Sequence, residues 1–179
     1  ILHRTLESGA YTKEGVTPSI CPSMDIQVSS NFERALFEAY GRDGGAVAQL
    51  MDELKGSGGF PVSQGAIGVL RDIYGSGRAS EAETSQTISA MLERTGEILC
   101  PHTAVGVKVA EEQGQSATPM ITLATAHAAK FPDAVEAATG VRPPLPNRMG
   151  DLYQRSERVT RVGNDLGEIE ALIRKMRAK

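Results

Sequence analysis

At 179 residues, 40% of them hydrophobic, the chain is long enough to form one ordinary domain and bury a core without disulfides or metal, which excludes disordered, collagen-like and staple-dependent scaffolds. Nineteen basic residues against 22 acidic give a net charge of −3, and four Phe, four Tyr and no Trp leave little for base stacking, so nucleic acid is excluded as an expected partner. The two cysteines, Cys21 and Cys100, show no zinc-type spacing, and no apolar run reaches the roughly 18 residues a membrane span needs, so the expectation is a soluble, cytoplasmic protein with reduced thiols and no metal.

In chain order, Ile1 to Leu6 reads as the middle of an amphipathic helix stopped by Gly9, and Ile1 therefore as a cut site in a longer protein. A loop over 12–22 precedes an alternating strand at Asp25–Ser29. Ser30, with Glu33 three residues on, has the capping-box pattern for a helix ending at Gly41. Helices are expected over 45–55, 63–74 and 80–95, the last opened by a second capping box, Ser80 with Glu83. Glu97–Cys100 reads as a short buried strand, followed after Pro101 by a helix closing at Gly114. The run 119–126 is the most hydrophobic in the chain, and its lack of alternation fits a strand covered on both faces in a parallel sheet. Helices over about 134–139, 149–162 and 166–176 complete the chain, with Arg174, Lys175, Arg177 and Lys179 at the last C-terminus, where the helix dipole favours cations. The alternation predicts an α/β fold rich in helices, with few parallel strands. Residues 1–140 form its main part and 141–179 a helical tail.

Three strand-to-helix turns hold the candidate site residues, because ligands in open α/β sheets bind beyond the carboxyl ends of strands. Ser29, Ser30, Asn31 and Phe32 stand at a helix N-terminus suited to a phosphate or carboxylate, although Ser30 also reads simply as a cap. His102 and Thr103 combine an imidazole and a hydroxyl, and a histidine at such a turn also serves as a structural hydrogen-bonding group. Thr125 ends the most hydrophobic run, with His127 two residues on. Its hydroxyl suits either a cofactor or ordinary packing. Dinucleotide, P-loop, zincin and nucleophile-elbow motifs are absent.

The stretch Pro22-Ser23-Met24-Asp25-Ile26-Gln27-Val28-Ser29-Ser30-Asn31-Phe32-Glu33-Arg34 resembles a signature of the threonine synthase family, pyridoxal-phosphate enzymes of fold type II. Pro101 to Gly106 and Leu123 to Asp133 are similar to two further blocks of that family, in the same order. Two departures neighbour candidate site residues: Cys100 stands where the family usually has an acidic residue, and Ala128 where it usually has Pro.

The resemblance implies the C-terminal portion of an enzyme that converts O-phosphohomoserine and water to threonine and phosphate. The lysine forming the Schiff base with pyridoxal 5′-phosphate lies upstream of Ile1 in the family's order. No catalytic lysine is therefore assigned here, and the chain is expected to be inactive without its missing N-terminal part. The resemblance further implies that Thr125 binds the pyridine nitrogen of the cofactor. Ser29, Ser30, Asn31, Phe32, Arg34, His102, Thr103 and His127 become candidates for the substrate or anion side. A non-catalytic regulatory or interaction module built on the same scaffold is the alternative; another fold type II enzyme, such as a threonine deaminase, fits the 22–34 signature less well.

Overall fold

The computed structural model describes residues 1–114 and 117–177. In chain order these form α1 (Leu2–Ser8), β1 (Ala10–Thr12), α2 (Phe32–Ala39), α3 (Gly44–Ser57), β2 (Gly59–Pro61), α4 (Gln64–Ile73), α5 (Glu81–Thr95), α6 (Pro101–Glu112), α7 (Pro132–Thr139) and α8 (Leu166–Arg177). Two compact units result, Ile1–Pro144 and Leu145–Lys179. Lys179, expected to extend the basic end of α8, lies outside the described residues.

Helix ends follow local chemistry. Ser80 Oγ accepts the Glu83 N–H at 3.2 Å while Glu83 Oε2 accepts the Ser80 N–H at 2.7 Å, completing the capping box of α5. Gly96 ends that helix at φ 79°, a left-handed conformation in which a side chain is strained. Ser63 caps α4 and Asp43 caps α3 in the same side-chain-to-backbone manner.

The first unit holds two apolar clusters. Tyr11, Leu36, Leu50, Leu54, Phe60, Ile67 and Leu70 close the space among α2, α3, α4 and the paired β1 and β2. Tyr11 is stacked between Phe32 and Phe60, with ring centroids 5.6 and 5.2 Å away. Ile88, Ala104, Ala128 and Val135 form the second cluster, where α5, α6 and α7 meet.

The strands differ from expectation. β1 and β2 pair antiparallel with Tyr11 opposite Phe60, and neither lies in a segment predicted as a strand. Gly59 permits the pairing, because a Cβ there would stand 2.6 Å from the Tyr11 carbonyl oxygen. Asp25–Ser29, Glu97–Cys100 and 119–126 are not strands and take no part in a sheet among the described residues. A strand exists through hydrogen bonds to a neighbour, which hydrophobicity does not supply. The run at 119–126, expected to be covered on both faces, is open instead, with Ile121 80% and Leu123 77% exposed. The few parallel strands of the predicted α/β class are thus absent from the described residues, while the richness in helix holds.

Two helix expectations also change. The segment 149–162 holds only the last residue of the 3₁₀ turn Asn147–Met149 and the turn Leu152–Gln154, with Gly150 between them disfavouring helix propagation, and Tyr153 and Val159 remain exposed. α2 starts two residues after Ser30, with Asn31 in the left-handed region at φ 69° and no side-chain cap.

Candidate functional site

Cys100 organises the turn into α6. It is the N-cap residue, 1% exposed, and its Sγ accepts the Thr103 N–H at 3.4 Å, with Pro101 in the first turn where its missing N–H costs nothing. The Thr103 hydroxyl stands 3.2 Å from Cys100 Sγ and 3.3 Å from Thr125 Oγ1, and accepts the Thr125 N–H at 3.0 Å. Thr125 Oγ1 closes the group at 3.8 Å from the sulfur. Burial works against a thiolate at Cys100, but hydrogen bonds from the Thr103 hydroxyl and N–H, the Thr125 hydroxyl and the Ala126 N–H outweigh it and hold the thiol below its ordinary pKa. Thr125 itself is exposed, while its hydroxyl and its N–H both lie within hydrogen-bonding distance of the Thr103 hydroxyl.

Cys100, Thr103 and His127 line one cavity of about 380 Å³, together with Ala124, Ala126 and Pro143. His127 Nδ1 accepts the Ala129 N–H at 3.1 Å, which leaves Nε2 as the protonated nitrogen of the neutral ring. Thr103 is therefore joined to Thr125 by hydrogen bonds and shares the wall of a cavity with His127.

The remaining candidates are held elsewhere. His102 is 6% exposed, its ring centroid lies 4.5 Å from that of Phe131, and its Nε2 accepts the Ser23 N–H at 3.1 Å. It ties the loop before α2 to the start of α6. Burial first, then Lys130, lowers its pKa and keeps the ring neutral. Ser29 lines a separate cavity of about 650 Å³ with Cys21, Ser23 and Asp25. Its N–H donates to the Tyr11 hydroxyl at 2.7 Å, while Ser30, Asn31 and Arg34 are exposed and Phe32 packs on Tyr11. The capping box expected of Ser30 does not form, because the turn places Asn31 at the N-cap and anchors Phe32 in the aromatic stack. Tyr11 carries no motif that marks it as the anchor of this loop; only the fold brings it there.

Comparison with known proteins gives this geometry a context. Residues 103–173 match the family described as "Threonine synthase, C-terminal". A threonine synthase of Pseudomonas aeruginosa is 45% identical over 175 residues, covering 97% of this chain and 37% of its own length. The crystal structure of a PLP-bound threonine synthase from Brucella melitensis superposes with a TM-score of 0.88 at 52% identity, over 97% of this chain and 38% of that one. The yeast threonine synthase structure gives 0.84 at 32% identity, over 99% of this chain and 40% of that one. The fold is accordingly that of the helix-rich C-terminal part of a fold type II enzyme. Within that class the chain matches the C-terminal part of threonine synthases. It spans less than two-fifths of the Pseudomonas and Brucella proteins.

Proposed function

We propose that the chain is the C-terminal part of a threonine synthase that uses pyridoxal 5′-phosphate to convert O-phosphohomoserine and water to threonine and phosphate, and that the lysine binding the cofactor lies outside residues 1–179. The observation that carries this reading is the match to a PLP-bound threonine synthase over 97% of the chain. The donor set fits the cofactor: a pyridine nitrogen calls for a hydrogen-bonding partner, and Thr125 is an exposed residue that carries a hydroxyl and whose backbone N–H is fixed by Thr103. When bound, the cofactor supplies the electron sink for carbanion chemistry at the substrate's carbon chain.

In this reading Thr125 holds the ring nitrogen through a neutral hydroxyl, which does not enforce protonation of the ring as a carboxylate would. Thr103 keeps the Thr125 oxygen in place. His127 lines the same cavity and presents Nε2–H as a donor on the substrate side. The hydroxyls of Ser29 and Ser30, the Asn31 side chain and Arg34 receive the phosphate of the substrate or the cofactor near the N-terminus of α2, on a loop pinned by Tyr11. His102 holds the 19–25 loop in register with α6.

The test is phosphate release by the longer protein that carries these residues, loaded with pyridoxal phosphate and offered O-phosphohomoserine, L-threonine or O-phosphoserine separately. Release of phosphate with formation of threonine from O-phosphohomoserine alone is expected. Deamination of threonine with no turnover of O-phosphohomoserine would contradict the assignment.

A further inference from the structure

The contacts around Cys100 leave one proton unassigned. The Thr103 oxygen already accepts the Thr125 N–H, so its own hydroxyl hydrogen goes either to Cys100 Sγ at 3.2 Å or to Thr125 Oγ1 at 3.3 Å. The Thr125 hydroxyl faces the same sulfur at 3.8 Å. The sulfur sits at the N-cap of α6, where a backbone N–H and the positive end of the helix favour an anion. A thiolate there accepts both threonine hydroxyls. A thiol keeps its own hydrogen and frees the Thr125 hydroxyl to donate elsewhere.

We propose that Cys100 is a positioning residue which, through its ionisation, sets whether the Thr125 hydroxyl accepts from a protonated cofactor ring nitrogen or donates to an unprotonated one. The proposal rests on the reading of Thr125 as the partner of that nitrogen. With Sγ as an anion, the Thr125 hydrogen points back to sulfur and its lone pair is left for an N–H. With Sγ protonated, the Thr125 hydrogen is available to a bare nitrogen. Hydrogen bonds from the Thr103 hydroxyl and N–H and from the Thr125 hydroxyl favour the thiolate over the thiol and hold Cys100 below its ordinary pKa. Several titratable or charged groups face this cluster. Cys21, electrostatically coupled to Cys100, is pushed up to about 11 by burial and stays a thiol, the exposed Glu97 and His127 line the cavity, Arg94 and Glu111, ion-paired at 2.6 Å, line a second cavity with Thr103, and His102 turns toward Ser23 and Phe131.

The experiment uses the longer protein loaded with pyridoxal phosphate labelled with ¹⁵N in the ring. The ¹⁵N shift and the thiolate ultraviolet absorbance are followed against pH in the wild type, Cys100→Ser, Cys100→Asp and Thr125→Val. In the wild type both signals are expected to move with one midpoint. Cys100→Ser, which keeps the size but cannot ionise, loses the transition, and Cys100→Asp holds the ring nitrogen in its protonated state. Thr125→Val raises the cofactor Kd about tenfold, the scale of one lost hydrogen bond. An unchanged ¹⁵N titration in Cys100→Ser, with Thr125→Val showing the expected weakening, overturns the role of Cys100 and spares that of Thr125. Unchanged cofactor affinity and ¹⁵N shift in Thr125→Val overturn both.

Discussion

Ser23 donates its N–H to His102 Nε2, so the neutral ring carries its proton on Nδ1, a buried atom without a hydrogen-bond partner among the described residues. Such a ring resists a second proton. Burial first, and the Lys130 charge next, lower its pKa below the ordinary 6.5, against a smaller opposing pull from Asp25. The sign follows: below about 6.5 the unfolded imidazole binds a proton that the folded one refuses, so the His102 contribution destabilises the protein as pH falls from there toward the folded value. Urea denaturation of the longer protein against pH is expected to show a falling acid limb that is shallower in His102→Gln, whose amide oxygen still accepts the Ser23 N–H. An acid limb of equal slope in the variant would mean that the ring is not the source. The identity of His102 as a candidate was legible from its turn. Its direction was not, because the Ser23 and Phe131 contacts depend on chain far away in sequence.

At the scale of elements, legibility divides by the range of the interactions involved. Helix ends are written within a few residues, which is why Ser63, Ser80 and Gly96 each mark a boundary of α4 or α5. Strands are defined by partners, and the pairing of Tyr11 with Phe60 joins segments that look like loops next to glycines. Ser30 shows the limit of local pattern. Its capping-box spacing is intact, yet the Tyr11–Phe32 stack moves the N-cap of α2 one residue on, to Asn31. The α5 box, by contrast, forms fully, and hydrogen bonds from the Ser80 backbone and hydroxyl hold the Glu83 carboxyl down at about 2. Ser80→Ala is expected to cost about 1 kcal/mol in equilibrium denaturation of the longer protein. A loss below a few tenths of that would show that packing alone fixes the start of the helix.

At the scale of the whole molecule, the three blocks that carry the family resemblance are separately readable, but their assembly is not. Cys100, Thr103 and Thr125 come within hydrogen-bonding reach of one another although two different blocks supply the threonines and Cys100 lies outside both, and Ser29 is left on another cavity. The run through Met120, Ile121 and Leu123 is apolar, exposed and outside any sheet among the described residues. Lys13, Lys55, Lys108, Lys130, Lys175 and Lys179 are the lysines of these residues, and none lies in a motif for holding the cofactor. The most direct measurement is therefore borohydride reduction of the longer protein loaded with pyridoxal phosphate, followed by proteolysis and mass spectrometry to locate the pyridoxyl-lysine. The account predicts a single modified lysine outside residues 1–179; stoichiometric modification of any of these six lysines would contradict it.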